Sequence, residues 1–289
     1  MIENCKSIAF QGVHGAYSDV ACRSVFPDLE TLPCESFEDA FTAVIAGRAD
    51  LAMIPVDNTI AGRVADVHHL MPLGDLFIVG EHFQSINHML LGAKGAQIKD
   101  LKYIHSHVHA LPQCKTLIKG LNVKPVVHAD TAGAAKEVAE RSDKAHGAIA
   151  SKLAADIYDL DILQEDVEDA SHNTTRFVVL SQEPHMPALE DGGDVLTSLL
   201  FEVRNIPAAL YKALGGFATN GLSMTKLESY VDENFQAARF YCDVEGHPDG
   251  RAFQLALEEL GFYAKDVKFL GAYPAHPLRK TYVKDHGEL

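Results

Sequence analysis

The chain has 289 residues, 47% hydrophobic and 22% charged, and at roughly 100 to 200 residues per domain this length predicts two domains rather than one small module. Forty acidic residues against 25 basic ones give a formal charge of −15 with a pI near 5.4, the opposite of the footprint left by binding to nucleic acid or anionic lipid. The opening MIENCKSIAFQGVHG lacks the charged start, apolar run and cleavage site of a signal peptide, and no stretch approaches the ~18 apolar residues of a membrane span. The sequence therefore reads as a soluble cytoplasmic protein with neither nucleic acid nor membrane as a partner. Cys5, Cys22, Cys34, Cys114 and Cys242 are widely spaced without a CxxC, which predicts reduced thiols rather than a disulfide or zinc framework.

From Ser7 to Leu180 short apolar runs alternate with helical patterns. SIAFQ predicts a strand and SDVACRSVF a helix. FEDAFTAVIAG predicts a helix, with Phe37, Ala40, Phe41, Val44 and Ile45 at 3.6-type spacing; LAMIPV reads as a buried strand and VADVHHLM as a helix. After the extended LFIVGEHFQSINHMLLG comes a second series: KYIHSH strand, LPQCKTLIKG helix, KPVVH strand, TAGAAKEVAER helix, HGAIA strand and SKLAADIYD helix. This alternation predicts α/β architecture with parallel, doubly wound sheets. The extended stretch divides residues 1–181 into two lobes, about 1–78 plus 158–181 and 79–157, with the cleft between them as the default binding site. SQEPHMPALEDGG has linker chemistry and marks a boundary over 182–194. Beyond it VLTSLLFEV, PAALYKALGGFATNG, LSMTKLESYV, AARFYCDVEG, RAFQLALEELG and KDVKFLGAY predict a ferredoxin-like βαββαβ unit over 195–275. Units of this kind commonly regulate or assemble, an analogy that rests on fold alone. The polar tail, 276–289, is expected to be loose.

Several short motifs carry chemistry. Gly12 and Gly15, in QGVHGAYS, follow a strand and open a helix, where backbone N–H groups can approach a small carboxylate. The third glycine of a dinucleotide fingerprint is absent. Asp57, Asn58 and Thr59 end a predicted strand, where open α/β sheets bind ligands; Asn58 and Thr59 serve equally as helix caps. Arg176, one of five arginines before residue 182, either pairs with a structural carboxylate or waits for an anionic substrate. The neighbouring Thr175 hydroxyl can donate to a leaving oxygen. His105, His107 and His109 lie along one extended run, yet no nearby Cys or HExxH completes a metal motif. GxSxG, Walker and CxxC patterns are also missing, so serine hydrolase, P-loop and thiol-redox chemistry have no support.

FQGVHGAYS, IPVDNTIAGRV, HSHVHALPQC, DTAGAA, AIASKLAA and NTTRF occur in order over nearly the whole chain, and in this the chain resembles the prephenate dehydratase family. The resemblance implies decarboxylating dehydration of prephenate to phenylpyruvate, in a two-lobed catalytic domain similar to type II periplasmic binding proteins. It implies no metal and no organic cofactor. The family's threonine-arginine-phenylalanine motif falls on Thr175, Arg176 and Phe177. Its glutamate-asparagine-serine motif appears as Asp57-Asn58-Thr59, its histidine-to-glutamine-cysteine motif places Gln113, and its threonine-alanine pair falls on Thr131-Ala132. The chemistry of that substrate leads to the expectation that Thr175, helped by Asn58 and Thr59, hydrogen-bonds or protonates the departing hydroxyl, that Arg176 or N–H groups of the Gly12 to Gly15 turn hold the pyruvyl carboxylate, and that Phe177 forms an apolar wall. The βαββαβ unit looks like the family's ACT regulatory domain. That implies L-phenylalanine as effector, bound through Ala208, Ala209 and Leu210 and through Glu228 and Ser229, and pairing into a homodimer or homotetramer. Ala208 stands where glycine is usual, and Tyr230-Val231 where arginine-proline is usual. The alternatives are the same chemistry on arogenate, or a non-catalytic amino-acid-sensing or solute-binding module.

Overall fold

Apolar residues fall where a period of two or of 3.6 buries them. Ile8, Ala9 and Phe10 are fully buried in β1 (Ser7–Gln11), and Ala40, Phe41, Ala43 and Val44 form the buried stripe of α2 (Phe37–Ile45). Ser36 caps α2 in a reciprocal pair with Asp39, which satisfies donors that a helix start otherwise leaves orphaned. In a computed structural model of the chain, residues 4–72, 74–170, 172–189, 194–231 and 237–280 are described. Part of the expected linker and the last residues of the tail, 281–289, lie outside them. The chain divides into two compact units, one of Asn4–Leu73 and His82–Val178, the other containing Gly74–Glu81 and Val179 onward.

In chain order the elements through residue 181 are β1, α1 (Tyr17–Val25), β2 (Glu30–Cys34), α2, β3 (Leu51–Asn58), β4 (Gly62–Arg63), α3 (Ala65–Leu70), β5 (Phe77–Ser85), β6 (Met89–Gly92), β7 (Tyr103–His107), α4 (Lys115–Leu121), β8 (Lys124–His128), α5 (Thr131–Arg141), β9 (His146–Ala150), α6 (Lys152–Ile157), β10 (Asp161–Gln164) and β11 (Thr174–Ser181). They form two sheets, ordered β2-β1-β3-β11-β5, with β4 on β3, and β10-β6-β9-β7-β8. Neither is the purely parallel sheet expected, because β4 pairs antiparallel with β3 in the first and β6 pairs antiparallel with both β9 and β10 in the second. The extended run after α3 supplies β5 to the first sheet and β6 to the second, and β10 stays in the second. The crossings between sheets thus fall later than 79 and 157, after β5 and after β10.

The second series contains β12 (Val195–Val203), α7 (Ala209–Thr219), β13 (Met224–Val231), β14 (Ala237–Glu245), α8 (Arg251–Tyr263) and β15 (Ala264–Pro274). This is βαββαβ with sheet order β13-β14-β12-β15, the ferredoxin-like arrangement. Leu199, Phe201, Phe240, Cys242 and Val244 pack beneath Ala213, Phe217, Phe253, Ala256 and Leu260 of the helices. The other face of the same strands buries a polar cluster, in which Ser198 Oγ and Tyr241 Oη lie 2.5 and 2.6 Å from Asp243 Oδ1.

Two findings in this unit differ from expectation. The start of the tail is held: Arg279 Nε and Nη2 donate to the two oxygens of Glu81 at 2.7 and 2.8 Å, and the His276 N–H donates to the same carboxylate at 2.9 Å. The Glu81 side chain is fully buried, so it requires such partners. Ala208, which precedes α7, has φ 59° and ψ 29°, a left-handed conformation that costs an L-residue roughly 1–2 kcal/mol and costs glycine little. Ala208→Gly is therefore expected to stabilise the protein slightly, by up to about 1 kcal/mol after the added freedom of the unfolded chain is subtracted. A rise in the urea midpoint would confirm it, and a fall would mean that the Ala208 methyl packs usefully.

Candidate active site

Adjacent residues of a strand face opposite sides, so the neighbouring strands β3 and β11 carry two different pairs. On one face Asn58 Nδ2 donates to Thr175 Oγ1 at 2.9 Å. On the other, Arg176 Nη1 lies 3.9 Å from Asp57 Oδ2. The pyruvyl carboxylate was expected to be held by Arg176 or by the Gly12 to Gly15 turn; the strand's period of two places Thr175 and Arg176 on opposite faces of β11. Arg176 is 6% exposed, and its pairing with Asp57 favours the structural reading. Phe177 shares the Thr175 face but is 1% exposed, so it belongs to the core and offers almost no surface as an apolar wall.

The Thr175 pair ends a chain of polar side chains whose direction is fixed by backbone. The N–H groups of Ile60 and Ala61 donate to Asn58 Oδ1 at 2.9 and 2.7 Å, and backbone donors cannot reverse. Asn58 Nδ2 must then point away from the turn, where it donates to Asn173 Oδ1 at 2.8 Å and to Thr175 Oγ1. Asn173 in turn donates through Nδ2 to Gln113 Oε1 at 2.8 Å. His88 Nε2, 3.1 Å from the same oxygen, must carry a proton to bond it, which leaves a lone pair on His88 Nδ1, 2.8 Å from the Tyr17 hydroxyl, so that Nδ1 competes with the Asn87 carbonyl for the one phenol proton. That hydroxyl also lies 2.7 Å from the Asn87 carbonyl. Burial pushes the Tyr17 phenol well above its ordinary pKa and lowers that of His88, so both are neutral near pH 7.

The chain links the first sheet, through Asn58 and Thr175, to the second lobe through Gln113, which lies in the turn Leu111–Cys114. Because Thr175 Oγ1 is already an acceptor from Asn58, its own proton is directed elsewhere; among the described residues Asn58 is its one hydrogen-bond partner. The arrangement presents a polarised hydroxyl donor. Thr59 is a brace: its Oγ1 donates to the His172 carbonyl and accepts from the Thr174 N–H, both at 2.9 Å.

At the Gly12 to Gly15 turn both glycine N–H groups have partners within the protein. Gly12 N–H donates to the Cys34 carbonyl at 2.9 Å, and Gly15 N–H donates to Asp19 Oδ2 at 2.9 Å. Both glycine donors are thus consumed, and the buried Asp19 carboxylate is itself paired with Arg23 Nε at 2.9 Å. Instead the turn joins the lobes: Ser151 Oγ donates to the Gly15 carbonyl and Tyr158 Oη to that of His14, at 2.5 and 2.7 Å. Gly15 has φ +88°, and a Cβ there would lie 2.8 Å from Ala154 Cα, so close approach explains the glycine. Thr131 and Ala132 open α5, where the Asp130 carboxylate accepts from the Gly133 N–H at 2.6 Å, and no hydrogen bond among the described residues joins them to the Thr175 chain. The histidine run is also rearranged: the nitrogens nearest His105 belong to His128 and His146.

The sequence reading missed Tyr17, His88 and Asn173 as site residues. His88 and Asn173 are polar residues beside apolar strand runs, a signal that periodicity alone does not interpret.

The chain matches the prephenate dehydratase family over residues 8–185. It belongs to that family. A bifunctional N-acyl-homoserine lactone acylase/prephenate dehydratase of Komagataeibacter europaeus is 50% identical over 275 residues, covering 94% of this chain and 97% of that one. Arogenate dehydratase/prephenate dehydratase 1 of Arabidopsis thaliana, a chloroplastic protein, is 37% identical over 94% of this chain and 73% of its own. The crystal structure of the Arthrobacter aurescens prephenate dehydratase in complex with L-Phe superposes with a TM-score of 0.84 at 27% identity, covering 97% of both chains. Dehydration of prephenate is the reaction of this lyase. No helix among the described residues is long and apolar enough to cross a membrane.

The hydrogen-bond chain makes the prephenate dehydratase fold sensitive to acid. Unfolded histidine takes up a proton near pH 6.5, whereas folded His88 does so only at lower pH, chiefly through burial. Below about pH 6.5 the unfolded chain thus binds more protons at this position than the folded one, and stability declines as pH falls toward the depressed value. Urea midpoints at pH 7 and pH 5 test this: the drop should be smaller in His88→Gln than in the wild type, and an equal drop would show that His88 does not contribute.

Proposed function

We propose that Thr175, oriented by Asn58, acts on the hydroxyl that leaves the prephenate ring. The carbon–carbon bond to the ring carboxylate breaks to release CO2, and its electron pair enters the ring. The hydroxyl on the opposite ring carbon departs with its own bonding pair, accepts a proton and leaves as water, giving phenylpyruvate. Aromatisation supplies the driving force, so the protein needs chiefly to position the ring and stabilise charge on the departing oxygen. The observation that supports the reading is the fixed direction of the chain: Asn58 donates to Thr175 Oγ1 and frees the threonine proton for that oxygen. Gln113, Asn173, His88 and Tyr17 then serve as positioning residues across the two lobes.

Prephenate is preferred over arogenate in this reading. Comparison of kcat/KM on the two substrates tests it, and a higher value on arogenate would assign the chain to the amino substrate. The 50% identity to a protein named for two activities favours N-acyl-homoserine lactone cleavage as a second activity, assayed on the same purified protein.

The βαββαβ unit is read as an ACT domain that binds L-phenylalanine and pairs with a second copy. Support comes from the relative solved with L-Phe and from β13, an edge strand with Leu227 and Val231 exposed. Glu228 and Ser229 are neighbours on β13 and therefore face opposite sides of it, while Ala208, Ala209 and Leu210 sit at the start of α7. A phenylalanine titration that changes neither heat of binding nor turnover would leave the unit with assembly alone.

A further inference from the structure

Away from Thr175, the second sheet gathers three histidines on adjacent parallel strands, β8, β7 and β9. His105 Nδ1 lies 3.0 Å from His128 Nε2, and His105 Nε2 lies 2.7 Å from His146 Nδ1. Helix α5, which packs on all three strands, brings Glu137 Oε2 to 3.3 Å from His128 Nε2. Arg141, one turn further along, donates through Nε to Glu137 Oε1 at 2.7 Å, which leaves Oε2 facing the histidines. His146 is itself fixed by stacking on Tyr103, with ring centroids 4.7 Å apart.

A neutral imidazole has one N–H. When His105 gives its proton to His146, the His105 Nδ1 lone pair faces His128 Nε2 and the Glu137 carboxylate. His105 Nδ1, His128 Nε2 and a Glu137 oxygen all lie within 4.8 Å of one another. The separations of 3.0 and 3.3 Å are close to the ~3.3 Å between neighbouring ligands of a tetrahedron with metal–ligand bonds of about 2.0 Å. Two strands and a helix supply these groups, so their approach does not depend on one flexible loop. His146 has the place of an outer partner that fixes the tautomer and ring orientation of a ligating histidine.

We propose that His105, His128 and Glu137 bind one divalent first-row metal ion, zinc being the best match to two imidazoles and one carboxylate, with the fourth position taken by water. The ion would fasten β7 and β8 to α5, a structural role separate from the Thr175 hydroxyl.

The test uses full-length protein without an affinity tag, stripped with a chelator and titrated with Co2+ and with Zn2+. One equivalent of Co2+ should bind and give the intense visible bands of a tetrahedral site, Zn2+ should abolish those bands, and Tm should rise with metal. His128→Ala and Glu137→Gln alter partly exposed side chains, and each should weaken metal binding at least tenfold while prephenate turnover stays within twofold of wild type. Absence of binding would overturn the proposal. So would stoichiometric binding that both substitutions leave unchanged, because the metal would then sit among other histidines of the 15 in the chain.

Discussion

Thr175→Ala is expected to lower kcat on prephenate by about 100-fold or more, the usual effect of losing a positioned acid or oxyanion donor, equivalent to roughly 2.7 kcal/mol of transition-state stabilisation. The fold should survive, because the substitution removes one hydroxyl whose single partner among the described residues, the Asn58 amide, keeps its second bond to Asn173. Thr175→Ser retains the hydroxyl and should recover most of the rate. Asn58→Ala acts on the same hydroxyl from a distance. It removes the donor to Thr175 and strips Ile60 and Ala61 of the oxygen that accepts their N–H groups, so it should lower both kcat and stability. The contrast separates the two roles: Thr175→Ala should lose rate at constant urea midpoint, whereas Asn58→Ala should lose both. If folded Thr175→Ala turned over near the wild-type rate, the hydroxyl would have no part in the chemistry.

The largest stability effect is expected at Arg279. Its guanidinium forms a two-point pair with Glu81, whose side chain is fully buried. Arg279→Ala would take both guanidinium bonds from that carboxylate, and removing one member of a buried ion pair typically costs about 3–5 kcal/mol. Part of the loss is avoidable if Glu81 takes up a proton, so the variant should be least impaired at low pH. Glu81→Gln in the Arg279→Ala background should recover part of that loss at neutral pH by removing the buried charge. Urea unfolding of the single and double variants checks this, and an Arg279→Ala cost below 1 kcal/mol would show that solvent reaches Glu81 readily.

Much of the fold is legible in the sequence where burial follows one period. LAMIPV gives β3, FEDAFTAVI gives α2 behind its Ser36 cap, and the six segments after residue 194 give β12 to β15 with α7 and α8. The strands that escape are the two-residue β4 and the strands β2 and β10, the last two each at the edge of its sheet. Their burial is irregular, and β2 contains Pro33, which an edge strand tolerates. The held tail escapes for another reason: Arg279 meets Glu81 across 198 positions, and nothing local to HPLRK announces a buried partner.

The site divides in the same way. Family resemblance brings Thr175 and Asn58 forward, and the structure places them 2.9 Å apart across 117 positions. The opposite facing of Thr175 and Arg176 was readable from strand periodicity, since neighbours on one strand cannot share a face. Tyr17, His88 and Asn173 were not readable, because each gains its meaning from a partner 60 to 71 positions away in another element. The acidic balance also acquires a local meaning. With Arg176 beside Asp57, a protein of charge −15 gains no long-range attraction for a dianion, and the proposed role of Thr175 calls on a neutral donor.

The most direct test is the fate of prephenate mixed with the purified wild-type protein, followed by the ultraviolet absorbance of phenylpyruvate in base together with prephenate consumption. Catalytic turnover, with one phenylpyruvate formed per prephenate lost, is the predicted result. A folded protein that binds prephenate and releases it unchanged would contradict the account and make the two-lobed unit a binding module.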